Sequence, residues 1–272
     1  MTTIAVESDR VRAAAERLSR AVTGGEPVAP VRDLIGHDDV ATAYAVQRIG
    51  VRERVAAGAR VVGRKIGLTA PAVQRQLGVD QPDFGVLFDD MDAGATPAGR
   101  RPRLLQPKIE AEVAFVLGTD LDAEDLDVAG VRGAVDYAVA ALEIVDSRIT
   151  GWDITFADTV ADNASSGWYV LGGERLSLGE FEPRDVVMSM TVDGEIVSTG
   201  TGSACLGDPL NALAWLARTA RDFGEPLRAG ETVLSGALGP MAALRPGARV
   251  RSELFTGTTL LGAVDFTLEE EQ

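Results

Sequence analysis

The sequence of 272 residues contains one cysteine, one histidine and no apolar run long enough to span a bilayer. Cys205 alone cannot form an internal disulfide, which is typical of a protein from a reducing compartment. His37 precedes a predicted helix, and a single histidine so placed argues against a Ser-His or Cys-His nucleophilic system. The first twenty residues are charged and lack the apolar core of a secretory signal. We therefore expect a cytoplasmic protein without a membrane span.

Basic residues are scarce relative to acidic ones, 26 against 41, which gives a net charge of −15. Binding to a phosphate backbone requires a basic patch, so the composition argues against nucleic acid as a partner. An acidic protein that acts on a small anion needs a local positive centre, and a divalent metal ion is one way to supply it.

The distribution of helix and strand signals predicts an α+β fold. Helices are expected over residues 9–22, with Ser8 as the N-cap, and from Asp38 or Asp39 to about residue 57. Short β-type runs separated by glycine and proline then continue to the end of the chain. We predict two parts, a helical N-terminal segment (1–60) and a β-rich catalytic domain (61–272).

Three further local predictions concern the second part. A helix is expected over about 128–141, running directly into the apolar segment 142–145. Two strands are expected to form a hairpin across the Asp193-Gly194 turn. Residues 158–167 are interpreted as a polar loop that enters a strand.

Residues 108–116 read as a strand that carries two carboxylates among apolar residues. Side chains alternate between the faces of a strand, so Glu110 and Glu112 share one face, while Ile109 and Phe115 lie on the other. Burying two like charges without a partner is costly, and a bound cation removes that cost. Hard oxygen ligands suit Mg²⁺ or Mn²⁺ better than Zn²⁺. The alternative is a half-exposed strand whose glutamates face water.

Other polar side chains in apolar surroundings are candidates for the same site. Glu143, in the apolar run before Asp146, is a natural third ligand or, alternatively, a surface residue at a helix end. A Lys65 side chain that is partly buried near a cation would have a lowered pKa and could serve as an acid or base. The alternative is a solvated surface lysine. Asp83 is either its charge partner or a turn residue after proline.

The polar segment 158–167 supplies a further set of candidates. Its amide, hydroxyl and backbone N–H groups suit recognition of a carboxylate or carbonyl, although the same residue types also form ordinary loops. The glycine-rich segment 234–240 has the same ambiguity and matches no phosphate-binding pattern.

Five motifs together resemble the 2-keto-4-pentenoate hydratases (2-hydroxypenta-2,4-dienoate hydratases) of the fumarylacetoacetate hydrolase superfamily. They occur in the order found in that family and cover nearly the whole chain. The motifs are GRKIGLT (63–69), DQPDFGVLF (80–88), KIEAE (108–112), LEIVDSR (142–148) and DTVADNASSG (158–167).

The resemblance implies a role for eight residues and a fold. The implied metal ligands, which hold Mg²⁺ or Mn²⁺, are Glu110, Glu112 and Glu143. The implied catalytic pair near the reacting carbons of the substrate is Lys65 and Asp83. The implied substrate-binding loop contains Asn163, Ser165 and Ser166. The fold implied is a mixed β-roll of the fumarylacetoacetate hydrolase C-terminal-domain type, in a protein that forms homo-oligomers.

The activity implied is the metal-dependent addition of water to 2-hydroxypenta-2,4-dienoate, a small anion, to give 4-hydroxy-2-oxopentanoate in the catabolism of aromatic compounds. The nearest alternative is decarboxylation of 4-oxalocrotonate (2-oxohex-3-enedioate), which needs the same stabilisation of negative charge at the 2-oxygen. Carbon-carbon hydrolysis, as in other members of the superfamily, would lack its histidine base. A third class of function is that of a non-catalytic partner associated with another pathway enzyme, or of an inactive scaffold.

Overall fold

The computed structural model describes residues 9–269. The N-terminal part is helical, as predicted, and Asp39 caps the third helix by accepting a hydrogen bond from the backbone N–H of Thr42. The predicted N-cap Ser8 lies outside the described residues. The helices are α1 (Asp9–Gly24), α2 (Arg32–Ile35), α3 (Val40–Ala56), α4 (Pro71–Leu77), α5 (Val128–Ala134), α6 (Phe156–Ala161) and α7 (Pro209–Asp222).

Eleven strands in the described part of the chain form two sheets. Their bounds are β1 (Val61–Gly67), β2 (Asp83–Phe88), β3 (Lys108–Leu117), β4 (Val135–Val145), β5 (Ser166–Leu171), β6 (Val187–Val192), β7 (Glu195–Thr201), β8 (Thr232–Leu234), β9 (Ala242–Ala243), β10 (Arg249–Thr256) and β11 (Thr259–Thr267). The larger sheet has the order β2-β1-β8-β3-β4-β5, with β9 also paired to β3, and the smaller has the order β11-β10-β6-β7. The larger sheet is mixed, because β1 and β8 run parallel whereas β3 and β4 run antiparallel.

The hairpin of β6 and β7 forms as predicted. Asp193 and Gly194 both have positive φ angles, 53° and 88°. This is the backbone conformation that a two-residue turn needs if its twist is to match that of the flanking strands.

The predicted helix over 128–141 is wrong in its second half. Asp127 caps α5 as expected, but the helix ends at Ala134 and the chain continues as β4. Residues 135–145 pair with β3 along nearly its whole length and are mostly buried. A run of alanine and valine is compatible with either a helix or a strand, and here the pairing in the centre of the sheet favours the strand. Glu143 therefore lies on a strand and not at the end of a helix.

The segment 158–167, predicted as a polar loop that enters a strand, contains the second part of α6 and a tight turn, and it does enter a strand, β5. Thr155 caps α6 by accepting a hydrogen bond from the backbone N–H of Asp158, and all six residues of the helix are buried. The short helix α2 and the two-residue strand β9 were also not predicted from the sequence.

The N-terminal helices share one hydrophobic core with the larger sheet. Tyr44 of α3 stacks on Phe84 of β2, with 4.8 Å between the ring centroids. The buried Gln47 side chain donates hydrogen bonds to the carbonyl oxygens of Phe84 and Val160. The predicted α+β class with a mixed, curled sheet is confirmed, and no described helix is long and apolar enough to cross a membrane.

Candidate functional site

Three glutamates meet where β3 and β4 pair. Glu110 lies directly opposite Glu143 in the register of the two strands, and Glu112 follows two residues later on the same face of β3. One carboxylate oxygen from each residue lies within 4.8 Å of the others. Their exposed fractions are 7% for Glu110, 0% for Glu112 and 1% for Glu143. The alternatives in which these side chains face water are therefore wrong.

The position of β3 in the sheet explains this burial. The strand lies between β8 and β4, and both of its faces are covered. Ile109, Ala111 and Val113 point into the main core, so the glutamates must occupy the opposite face.

Burial and mutual repulsion make these carboxyl groups hard to ionise. Burial, with the charge of Glu143, raises the pKa of Glu110 to about 7. Burial, with the charges of Glu143 and Glu110, raises the pKa of Glu112 well above its usual value. Burial also raises the pKa of Glu143, although Lys65 acts in the opposite direction.

Some carboxylate oxygens of the cluster accept no hydrogen bond from any described residue. The backbone N–H of Gly236 donates to Glu112 Oε2 at 2.7 Å, and Glu143 Oε1 has the ammonium group of Lys65 beside it, but Glu112 Oε1 and Glu143 Oε2 lack a donor among residues 9–269. Buried polar atoms are rarely left without partners. Three converging carboxylates with free oxygens match the ligand preference of a hard divalent cation. The cluster could therefore hold such an ion.

Lys65 of β1 approaches this cluster from the neighbouring part of the sheet. Its Nζ atom lies 3.0 Å from Glu143 Oε1 as an ion pair. Burial by itself would lower the pKa of Lys65, but the charges of Glu143 and Asp83 outweigh burial, so the pKa is raised. The expected lowering assumed a neighbouring cation, whereas the protein groups around Lys65 are carboxylates and act in the opposite direction.

Asp83 of β2 lies opposite Gly67 of β1 and is buried. A Cβ atom added to Gly67 would lie 2.2 Å from Asp83 Oδ1 and 3.4 Å from Lys65 Nζ. Glycine at position 67 thus allows Asp83 Oδ1 to pack closely against β1, near Lys65 Nζ. Burial raises the pKa of Asp83 to about 6, and Lys65 partly offsets this rise. No described residue donates a hydrogen bond to Asp83 Oδ1.

Residues Asn163, Ala164 and Ser165 form a left-handed turn after α6, with φ angles of 54°, 51° and 51°. This conformation costs roughly 1–2 kcal/mol for each residue other than glycine. The Asn163 amide offsets part of this cost by exchanging two hydrogen bonds with the backbone of Val86, at 2.8 and 2.9 Å. The Ser166 hydroxyl donates to the carbonyl oxygen of Asn163 at 2.7 Å.

A second set of contacts holds both ends of this turn. The Arg148 guanidinium donates to the carboxylate and carbonyl oxygen of Asp162 and, at 2.6 Å, to the carbonyl oxygen of Ser166. The same side chain donates to the carbonyl oxygen of Asp146, three residues beyond Glu143 on the chain. Arg148 therefore connects the end of β4 to the turn.

The structure separates the three predicted residues of this loop by their contacts. The polar atoms of Asn163 and Ser166 bind backbone groups, whereas the Ser165 hydroxyl lies 3.3 Å from the hydroxyl of Thr159. Thr159 in turn lies 3.4 Å from Asp83 Oδ2. Only Ser165 is thus connected, through Thr159, to the predicted catalytic pair.

Sequence reasoning missed two residues at this site. Nothing in the sequence distinguishes Thr159 from other threonines, because its role depends on the unpredicted helix α6. Gly236 lies in the glycine-rich segment that was noted as ambiguous. Its φ angle is 109°, and an added Cβ atom would lie 2.4 Å from Thr69 Oγ1, so glycine is required where its N–H meets Glu112.

The chain is similar to known proteins over most of its length. The family model for the fumarylacetoacetate (FAA) hydrolase C-terminal domain matches residues 69–268. A 2-keto-4-pentenoate hydratase of Paraburkholderia xenovorans (strain LB400) is 56% identical over 234 residues, which cover 86% of this chain and 87% of that protein. 2-keto-4-pentenoate hydratase 3 of Pseudomonas putida shows the same identity and the same coverage.

Among solved structures, 4-oxalocrotonate decarboxylase from Pseudomonas putida G7, complexed with magnesium and adipate, superposes with a TM-score of 0.85. It is 32% identical, and the match covers 95% of this chain and 97% of that one. The family model spans well over half of the sequence, and an identity of 56% to the hydratases leaves no doubt that the chains are related. The chain therefore belongs to the fumarylacetoacetate hydrolase family.

Proposed function

We propose that the protein is a 2-oxopent-4-enoate hydratase, which adds water to 2-hydroxypenta-2,4-dienoate and forms 4-hydroxy-2-oxopentanoate in the breakdown of aromatic compounds. The observation that carries the proposal is the buried group of Glu110, Glu112 and Glu143 beside Lys65 and Asp83. The name borne by relatives with 56% identity supports this activity.

Glu110, Glu112 and Glu143 would hold Mg²⁺ or Mn²⁺. Bound there, the ion supplies a positive centre for a 2-oxo acid and a Lewis acid for charge that develops on its 2-oxygen. The decarboxylase that superposes on this chain was solved with magnesium, which supports the choice of a hard cation.

Asp83 and Lys65 would move the protons of the reaction. Conversion of the dienol to the ketone removes a proton from the 2-hydroxyl group and adds one at C5, and hydration then requires a proton removed from water that attacks C4 and a proton added at C3. Asp83, with a pKa of about 6, is mostly ionised at neutral pH and is suited to accept the proton from water. Lys65, with a raised pKa, remains protonated and is suited to donate.

Ser165 is the member of the turn that we propose to contact the substrate. Its hydroxyl contacts the Thr159 hydroxyl, which in turn contacts Asp83. Asn163 and Ser166 would contribute to substrate binding by holding the turn in its left-handed form. We further propose a cytoplasmic homo-oligomer, as the family resemblance implies, with association to another pathway enzyme as an additional property to test.

Decarboxylation of 4-oxalocrotonate remains the second candidate, because a decarboxylase has the matching fold at a TM-score of 0.85. The two activities separate in one experiment. Purified, chelator-treated protein is mixed with 2-hydroxypenta-2,4-dienoate or with 2-oxohex-3-enedioate, with and without Mg²⁺ or Mn²⁺, and products are identified by mass. Metal-dependent gain of one water by the pentadienoate supports the hydratase, whereas loss of CO₂ from the dioate without hydration of the pentadienoate assigns the decarboxylase instead.

A further inference from the structure

We propose that Thr159 is a positioning residue that orients the Asp83 carboxylate, as the middle member of a chain of hydroxyl groups that begins at Ser165. The inference rests on the proposed hydratase function, because it takes Asp83 as the group that accepts a proton from water. It adds to that function a residue that touches neither the metal ligands nor the reacting carbons.

The direction of the chain follows from its donors and acceptors. Thr159 Oγ1 lies 3.4 Å from Asp83 Oδ2 and 3.3 Å from Ser165 Oγ. A hydroxyl group has one hydrogen to donate, and an ionised carboxylate only accepts. Thr159 therefore donates to Asp83 and accepts from Ser165.

The two oxygens of Asp83 consequently have different surroundings. Oδ2 faces the Thr159 hydroxyl, whereas Oδ1 packs against Gly67, which Lys65 Nζ also approaches. The terminal torsion of an aspartate is broad and is not fixed by staggering. The hydrogen bond from Thr159 is thus the contact that turns Oδ1 toward the place where the reactants would lie.

Thr159 is itself held by its neighbours along α6. The Asp158 carboxylate accepts hydrogen bonds from the backbone N–H groups of Val31 and Arg32 at 2.9 Å each. The carbonyl oxygen of Val160 accepts one from the Gln47 side chain at 3.1 Å. The residues on both sides of Thr159 are therefore anchored to the N-terminal segment, and that segment contributes to the site without supplying a reacting group.

Ser165 is fixed by different contacts. Its backbone belongs to the left-handed turn, which packs closely against Gly85 of β2, where an added Cβ atom would lie 2.3 Å from the carbonyl oxygen of Asn163. Its carbonyl oxygen accepts a hydrogen bond from the N–H of Asp146 at 2.7 Å. Both neighbours of the Thr159 hydroxyl are thus attached to the rigid part of the larger sheet, which is what a positioning contact requires.

The test compares Thr159→Val, which keeps the shape and removes the hydroxyl, with Thr159→Ser, which keeps the hydroxyl. Thr232→Val, in a buried threonine of β8 outside this chain of hydroxyls, is the matched control. Steady-state rates are measured on 2-hydroxypenta-2,4-dienoate with Mg²⁺, Mn²⁺ affinity is measured by titration, and each variant is crystallised.

We expect Thr159→Val to lower kcat by about tenfold to a hundredfold with KM changed less than about threefold, because a misplaced group loses rate and not affinity. Thr159→Ser should restore most of the rate, and Mn²⁺ affinity should be unchanged in all variants. In the Thr159→Val crystal structure the Asp83 carboxylate should be rotated.

Unchanged kcat in Thr159→Val, or an Asp83 carboxylate that keeps its orientation there, would overturn the proposal. A failure of the proposed function looks different. In that case the wild-type protein does not hydrate the dienoate, while the rotation of Asp83 in the Thr159→Val crystal structure still supports the positioning role.

Discussion

Replacing Glu110 with glutamine should make the metal-free protein less sensitive to pH. Burial and the charge of Glu143 raise the pKa of Glu110 from its usual 4.5 to about 7 in the folded protein. One pH unit across this window corresponds to about 1.4 kcal/mol per proton. At neutral pH, an ionisable Glu110 should therefore lower the free energy of unfolding by about 3 kcal/mol relative to acidic conditions.

The sign follows from proton binding in the two states. The folded protein binds the Glu110 proton more tightly than the unfolded chain does, so stability falls as pH rises from about 4.5 to about 7. Asp83 and Asp162, whose pKa values burial raises to about 6, act in the same direction. The informative quantity is therefore the difference between the variant and the wild type.

Urea unfolding in the presence of a chelator, at about pH 5 and about pH 7.5, measures this difference. The wild type should lose about 2 kcal/mol more than Glu110→Gln between the two conditions, because a part of the total loss has already occurred at pH 5. Glu195→Gln, at an exposed position of β7, should behave as the wild type does. Equal losses in Glu110→Gln and the wild type would refute the reasoning, because the Glu110 carboxyl group would then not be penalised by burial.

Three other outcomes follow from the same site. Mg²⁺ or Mn²⁺ at a hundredfold excess over Kd should raise the unfolding free energy of the wild type by about 2.7 kcal/mol, and its melting temperature with it. Neither quantity should rise in Glu110→Gln. Lys65→Met should lower kcat by at least about a hundredfold while Mn²⁺ titration still shows binding. Gly85→Ala, whose Cβ atom would lie 2.3 Å from the carbonyl oxygen of Asn163, should lower the unfolding free energy by about 1–3 kcal/mol in urea, whereas Gly99→Ala, with no atom within 4 Å, should not.

Local patterns explain which parts of the fold were predictable. The alternation in 108–116 and the Asp193-Gly194 turn are properties of adjacent residues, and both predictions are confirmed. The helix predicted over 128–141 failed because β4 depends on its pairing with β3, which is distant in the sequence. Alanine and valine in that segment are compatible with either structure, so the partner strand decided the outcome.

The same distinction applies to the site. Glu110 and Glu112 could be predicted because two carboxylates on one face of an apolar strand are visible in the sequence. Glu143 could be named only as one of two alternatives, a third ligand or a surface residue at a helix end, since its surroundings depend on the register between two strands. Thr159 was not predictable, because the contact with Asp83 joins residues 76 positions apart in the chain.

Buried carboxylates occur in two kinds of surroundings in this protein, and the difference identifies the site. Burial raises the pKa of both Asp162 and Glu110, so the direction of the pKa change does not distinguish them. The Asp162 carboxylate accepts hydrogen bonds from the backbone and side chain of Arg148 and from the Ser147 hydroxyl. By contrast, Glu143 Oε2 and Glu112 Oε1 have no hydrogen-bond donor among the described residues, and Glu143 Oε1 has only the ion pair with Lys65. A buried charge whose hydrogen bonds are complete holds structure together, whereas one with free oxygens is costly unless a ligand completes it. On this ground we propose that the glutamate cluster is the site of chemistry and that Arg148 with Asp162 supports it.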